Sequence, residues 1–303
     1  MMISVDEAWG LICSAAQPLS SERRSLDSAL GSVLAEEVIA PVDLPPFDNS
    51  AMDGYALKAA ETQGANAQRP VTVAVVGEVA AGSWQDAPVQ PGTAVKIMTG
   101  AAVPPGADAV LMLEAGRLRQ GAVEIREPVA PGTHIRRRGE DVRRGDVLLE
   151  MGTPLNVQRI GLLAGSGIAE VRVHRQARVS LLATGSELVT DGRPLKPGQI
   201  YDSNRIVLRT LIEQAGGACD DLGIVPDDPT MIRAQIQSGL RSDLFLISGG
   251  VSVGAHDHVK QVLQALGMET LFWRVNMKPG KPLLCGRLGE HWVFGLPGNP
   301  ISC

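Results

Sequence analysis

Ser248-Gly-Gly-Val-Ser-Val-Gly254 follows a short apolar run, Leu244 to Ile247, and leads into a helical pattern, with Asp257 just after it. Strand, glycine-rich loop and helix start present backbone N–H groups and a helix N-terminus to an anion. Gly249 and Gly250 admit a ligand close to the backbone, and Ser248 and Ser252 offer hydroxyl donors. A second glycine-bearing loop, Thr184-Gly-Ser-Glu-Leu188, also follows a strand directly. It supplies Thr184, Gly185 and Glu187. Glu187 and Asp257 each lie a few residues past a strand end, where one cleft can receive both. Mg²⁺ takes one or two carboxylates together with phosphate oxygens and water, so these acids suit a metal-assisted phosphate site. Asp202, Asp227 and Asp228 lie near the same ends. Asp227-Asp-Pro229 reads equally as a plain helix cap, and so does Asp257. His256 and His258 flank Asp257, but two histidines at a helix start carry little metal signal.

Cations gather further on. Arg274, Lys278 and Lys281 fall within eight residues of Arg-Val-Asn-Met-Lys-Pro-Gly-Lys-Pro. Pro and Gly fix the turn, so both lysines project from it, which suits an oxyanion. Gly295-Leu-Pro-Gly-Asn-Pro-Ile-Ser302 then ends a strand in a Pro/Gly turn, with Pro297, Pro300 and Ser302 as further candidates for an anion-facing loop.

Two acidic or basic stretches precede these. Pro41 to Tyr55 reads as an extended loop and holds Asp48, Asn49, Ser50 and Asp53. Its residue types suit Asx turns at a domain entry as well as a site. Arg136-Arg-Arg-Gly-Glu-Asp-Val-Arg-Arg144 reads either as a solvated charged face or as an anion site with Asp141 held by arginines.

The elements that must position these residues follow from periodicity. Ser4 and Glu7 form a capping-box pattern ahead of a helix to Gln17, and Asp27 caps an expected second helix through Leu34. Runs at 71–76, 94–98, 109–113 and 122–125 predict a β-rich lobe. A helix at 155–164, capped near Asn156, and a strand at 170–173 come next. From Val179 onward strands and helices alternate: strands at 179–183, 219–225 and 244–247, helices at 203–214 (Ser203 as cap) and 229–240. Such alternation predicts a layered α/β domain around a mostly parallel sheet, with ligands beyond the carboxyl ends of its strands. The expected division is 1–44 plus 141–177 as an elongated linker domain, whose first helix is free to pack on the α/β domain, then 45–140 as the inserted lobe and 178–303 as the α/β domain.

A chain of 303 residues is long enough for two or three domains. Its net charge of −5 and aromatic content of 3% argue against nucleic-acid partners. No apolar run reaches membrane-spanning length, and Asp6 and Glu7 interrupt any secretory pattern at the start, so a cytoplasmic protein is expected. Cys13, Cys219, Cys285 and Cys303 share no metal-ligand spacing and read as reduced thiols.

Taken together, the segments 47–56, 98–110, Gly139-Glu-Asp141, 184–188, 248–254 with Asp257, 278–282 and 296–300 resemble the MoeA / gephyrin E-domain family, the molybdopterin molybdenumtransferases. The resemblance covers nearly the whole sequence. It implies insertion of molybdate into adenylyl-molybdopterin with Mg²⁺, releasing AMP and molybdenum cofactor. It also implies an elongated homodimer, the β-rich lobe of one subunit closing the α/β cleft of its partner. A molybdopterin adenylyltransferase is a possible further partner. The family's C-terminal β domain is expected after Cys303 and is missing here. By motif, Asp53, Asp141, Glu187 and Asp257 become catalytic acids, with Glu187, Asp227 and Asp257 on the metal. Thr184, Gly185, Ser248, Gly249, Gly250, Ser252, Pro297 and Pro300 hold the substrate, and Arg274, Lys278, Lys281 and Ser302 the molybdate. The family commonly has Asp where Ser186 stands. Single-domain molybdopterin adenylyltransferases and CinA-like enzymes share the 184–188 and 248–252 motifs but lack the 45–140 lobe. A non-catalytic scaffold of the same fold is the alternative of another class, and the intact Asp53, Asp141, Glu187 and Asp257 argue against it.

Overall fold

The computed structural model of the protein describes residues 2–190, 192–251 and 258–303. They form two compact units, Met1–Glu22 with Arg172–Cys303, and Arg23–Val171. No helix among the described residues is long and apolar enough to cross a membrane.

The first unit is a mixed α/β layer. Its six strands lie in the order Ala218–Val225, Arg178–Thr184, Leu244–Ser248, His291–Leu296, Leu284–Leu288, Glu269–Trp273. The first four run parallel, and Leu284–Leu288 runs antiparallel to both of its neighbours. Successive side chains point to opposite faces, so apolar runs such as Leu244-Phe-Leu-Ile247 feed two cores. Phe245 and Ile247 join Ile232, Ile236, Val259 and Leu263 from the helices Pro229–Gly239 and His258–Ala265. On the other face Val179 and Leu181 meet Leu208 and Ile212 of the helix Asn204–Gln214. There too the helix Val5–Ala15 sets Ala8 and Ile12 against Phe272, Val275 and Cys285. Ser4 and Glu7 form the full capping box that starts this helix. Asp228 caps Pro229–Gly239, with Pro229 in the first turn where its missing N–H costs nothing. Ser203 occupies the cap position of the next helix upstream without a side-chain bond; Asp202 accepts the Arg205 N–H instead, at 3.1 Å.

The second unit holds another six-stranded sheet, ordered Ala109–Met112, Gly54–Leu57, Thr93–Ile97, Val71–Val79, Ala122–Ile125, Gly116–Arg119. Its core gathers Tyr55, Leu57, Val73, Leu111, Val123 and Ile125. The reading of Pro41 to Tyr55 as loop throughout is corrected here. Gly54 and Tyr55 open an interior strand, and a Cβ at Gly54 would stand 2.0 Å from the Leu111 carbonyl oxygen. Only glycine allows the neighbouring strand that close, and a lone glycine after three prolines reads as a turn. The expected helix from Asp27 to Leu34 is also corrected. Only the 3₁₀ turn Leu26–Ser28 forms, because Gly31 takes φ 77° and Leu34 donates its N–H to Thr153. The helix Val157–Gly165 starts as expected at Asn156, whose side chain accepts the Arg159 N–H.

Candidate functional site

The carboxyl ends of the strands Arg178–Thr184 and Leu244–Ser248 open into a cavity of about 280 Å³. Thr184, Gly185, Glu187, Asp227, Ser248, Gly249, Gly250 and Pro300 line it. This is the crevice where an α/β sheet presents backbone N–H groups to ligands. Glycine is required in both loops. At Gly249, φ is 93° and a Cβ would lie 2.4 Å from the Thr184 carbonyl oxygen. At Gly250, φ is 65° and a Cβ would meet Val259 Cγ2 at 2.4 Å. Both values of φ fall in the region that side chains disfavour. Beneath this loop the Thr184 hydroxyl is buried without a hydrogen-bond partner among the described residues.

The acids of the cavity differ in their engagement. Glu187 stands over Gly185, with no partner for its carboxylate among the described residues; a Cβ at Gly185 would lie 2.9 Å from both Oε atoms. Among the described residues Asp227 accepts only the Ser186 N–H, at 3.2 Å, and its own N–H donates back to Ser186 Oγ. Asp202, also lining the cavity, is committed to Arg205 at 2.9 Å, and the same arginine binds Asp221 at 2.5 Å. No group of three or more His, Cys, Asp or Glu among the described residues could hold a metal by itself. Glu187 and Asp227 nonetheless fit Mg²⁺, which needs one or two carboxylates when phosphate oxygens complete its shell. Ser252 and Asp257 lie outside the described residues.

The lysine turn packs against the segment that supplies Pro300 to the cavity. Lys278 and Lys281 are exposed, with no carboxylate partner among the described residues. Gly280, at φ 99°, brings their turn against the last turn of the sequence, since a Cβ there would be 3.2 Å from the Ser302 carbonyl oxygen. That turn is closed by Ser302 and Cys303 N–H groups on the Asn299 carbonyl, at 2.8 and 3.0 Å. Arg274 has φ 76° and stacks its guanidinium 4.2 Å from the Trp273 ring centre, with Nε buried and unbonded. The structure thus brings the Lys278–Lys281 turn to the Ser302 backbone, while Arg274 is held against Trp273. Pro297 is buried behind the loop, while Pro300 faces the cavity.

Asp53 and Asp141 belong to the second unit, where the 48–53 and 134–141 segments adjoin. Asn49–Ser50 pairs with Ile135–Arg136, and Ala51 donates its N–H to the His134 carbonyl at 2.9 Å. Asp53 Oδ1 accepts both the amide and the hydroxyl of Thr99 at 2.7 Å. The Thr99 amide, then its hydroxyl, holds this carboxyl below the usual range, so Asp53 is exposed and ionised at neutral pH. Asp141 pairs with Arg136. Arg137 binds Asp48 at 2.6 Å and Arg138 binds Asp43 at 2.5 Å. Three of the five arginines are therefore paired within the unit, which favours the charged-face reading of 136–144 over an anion site.

One lining residue escaped the sequence reading altogether. Asn204 is 8% exposed and bonds two loops at once, through Nδ2 to Ser248 Oγ at 2.8 Å and to the Gly298 carbonyl at 3.0 Å. The Asp202-Ser203-Asn204 triplet before an apolar helix signals a cap, and the cap signal hid the side chain's other use.

The family model described as the MoeA N-terminal region (domain I and II) matches residues 3–167. The model described as the probable molybdopterin binding domain matches residues 180–303. The chain is 43% identical over 287 residues to the molybdopterin molybdenumtransferase of Haemophilus influenzae, covering 94% of this chain and 70% of that protein. It is 39% identical over 309 residues to that of a Nostoc strain, covering 99% and 71%. A crystal structure of the molybdopterin biosynthesis moeA protein from Pyrococcus horikoshii superposes with a TM-score of 0.85 at 32% identity, covering 100% of this chain and 75% of that one.

Proposed function

The chain belongs to the MoeA family of molybdopterin molybdenumtransferases, an enzyme family of molybdenum cofactor biosynthesis, and we propose that it inserts molybdate into adenylyl-molybdopterin and releases AMP. The observation that carries this reading is the cavity in which two close-approach glycines, Ser248 and two under-used carboxylates share one wall. The Ser248 hydroxyl and the Gly250 N–H donate to the phosphates, and the backbone of Gly249 and Gly250 lets them approach. Glu187 and Asp227 are the residues that would hold Mg²⁺. When bound, the ion offsets phosphate charge and polarises the bond that breaks. Lys278 and Lys281 draw in molybdate, a dianion, and with Ser302 hold it beside the cradle. Charge complementarity of this kind lowers the repulsion between two anions that must meet. Asp53 and Asp141 serve the same reaction as carboxylates contributed by a second copy of the chain, and Asp257 adds an acid on the metal side.

The test is direct. Protein given adenylyl-molybdopterin, molybdate and Mg²⁺ releases AMP, and release stops when molybdate is withheld. Equal release without molybdate would remove the insertion reading. In the same assay, inactive Asp53→Ala and Glu187→Ala proteins regain partial activity on mixing and re-association. Verified mixed dimers with no activity would remove the shared-site assignment.

A further inference from the structure

Asn204 opens the helix Asn204–Gln214 with its side chain turned inward, into the wall of the cavity. The orientation of its amide is fixed by chemistry. The Gly298 carbonyl can only accept, so the group 3.0 Å from it is the NH₂. The same nitrogen reaches Ser248 Oγ at 2.8 Å. One side chain therefore spans the end of the strand Leu244–Ser248 and the turn after the strand His291–Leu296. Those two loops nearly touch: a Cβ at Gly298 would be 3.6 Å from Gly249 Cα, and Gly249 donates its N–H to the Leu296 carbonyl at 3.0 Å.

The bond to Ser248 has a directional consequence. A hydroxyl that accepts from Asn204 keeps its own proton for another acceptor. Among the described residues the other neighbour of Ser248 Oγ is Cys303 Sγ at 3.9 Å, a weak acceptor at long range. The proton is thus available to a ligand oxygen in the cavity. Ser248 itself is 3% exposed, so its hydroxyl cannot reorient freely into solvent.

We propose that Asn204 is a positioning residue of the phosphate cradle: it ties Ser248 to Gly298, sets the spacing of the two loops, and leaves the Ser248 hydroxyl as a donor to the bound nucleotide. This rests on the nucleotide reading of the cavity given above. Asn204 acts on the nucleotide through Ser248 and has no part in holding molybdate, which is assigned to the lysine turn.

The experiment compares wild type, Asn204→Ala, Asn204→Asp, Ser248→Ala and the Asn204→Ala/Ser248→Ala double variant. Calorimetry with AMP and Mg²⁺ gives the nucleotide affinity, and turnover gives the KM for molybdate. Asn204→Ala is expected to weaken AMP binding about tenfold, the cost of one buried hydrogen-bond link. Asn204→Asp is isosteric but accepts where asparagine donates, so it turns the Ser248 proton inward and faces the Gly298 carbonyl with like charge. Its loss is expected to exceed that of alanine. The double variant is expected to match Ser248→Ala within about twofold, since the two side chains act as one unit. Molybdate KM stays near the wild-type value in the Asn204 variants. Wild-type affinity in Asn204→Asp, additive losses in the double variant, or a parallel rise in molybdate KM would each overturn the proposal. The isosteric Asp variant keeps the test decisive where alanine fails to fold. If wild type does not bind AMP at all, the nucleotide reading falls, and this inference falls with it.

Discussion

Two basic stretches, Arg136–Arg144 and Arg274–Lys281, look alike in sequence and end in opposite conditions. In the first, Arg136, Arg137 and Arg138 are each paired with an aspartate of their own unit. In the second, Lys278 and Lys281 are exposed with no carboxylate partner among the described residues, and their turn abuts Ser302. A paired guanidinium has spent its donors, whereas an unneutralised ammonium keeps its field for an incoming anion. Charge density along a sequence therefore says little about anion binding until the counter-charges are placed. The three aspartates that decide the matter, Asp43, Asp48 and Asp141, include two that lie about 90 residues before the arginines they pair with.

The contrast can be broken most sharply at Lys278. Lys278→Ala is expected to lower kcat/KM for molybdate about 30-fold, the loss of one charge-assisted contact, while AMP affinity changes little. A molybdate dependence equal to wild type would cancel the distinction between the two stretches. A smaller effect is expected at the loop the lysine turn serves. Gly249→Ala forces a Cβ to 2.4 Å from the Thr184 carbonyl at φ 93°, so the loop must shift. AMP affinity is expected to fall about tenfold by calorimetry, with strain of about 1–3 kcal/mol showing in denaturant unfolding. Unchanged affinity would mean the cradle does not use this backbone.

Arg175 sharpens the comparison from within the α/β unit, because it is paired like the arginines of the other unit. It grips Asp243 through both guanidinium nitrogens at 2.7 and 2.5 Å, and Asp243 also accepts the Arg178 N–H. That grip holds the Asp243 carboxyl below its ordinary value of 3.8. A lowered carboxylate stabilises the folded state above its unfolded pKa and stops doing so as pH falls through the folded one. Arg175→Ala is expected to cost about 1 kcal/mol near neutral pH, discounted for partial exposure. The gap in melting temperature between variant and wild type should then close as pH falls below 3.8. A gap constant down to strongly acid pH would show that the arginine acts by packing. The smallest effect belongs to Arg137→Ala, an exposed pair worth about 0.2–1 kcal/mol, with molybdate KM unchanged.

The parts of the fold that were legible are those whose causes are local. Ser4 and Glu7 cap a helix three residues apart, and Asp228 and Pro229 open another within two. Gly249 and Gly250 announced a close approach, and the neighbour that requires it, Thr184, came from the other glycine loop. What escaped depended on distant partners. The strand Gly54–Leu57 exists because Leu111 and Lys96 flank it, not because four residues after a proline-rich loop prefer extension. Apolar strands beside the lysine turn are legible, but the antiparallel pairing of Glu269–Trp273 with Leu284–Leu288 is set across the ten residues between them. Asn204 was hidden for the reason given by its bonds: both partners, Ser248 and Gly298, lie more than 40 residues away.

The helix Val5–Ala15 packs on Phe272, Val275 and Cys285, so the α/β unit is closed by segments from opposite ends of the sequence. During synthesis that helix leaves the ribosome about 270 residues before the strand Leu284–Leu288 exists. At about 5–20 residues per second it waits roughly 14–54 s with Ala8 and Ile12 uncovered. Meanwhile Arg23–Val171, a continuous stretch, has every strand it needs to complete its own sheet. The order of assembly is thus written into the chain connectivity: of these two units, the interrupted one is completed after the continuous one.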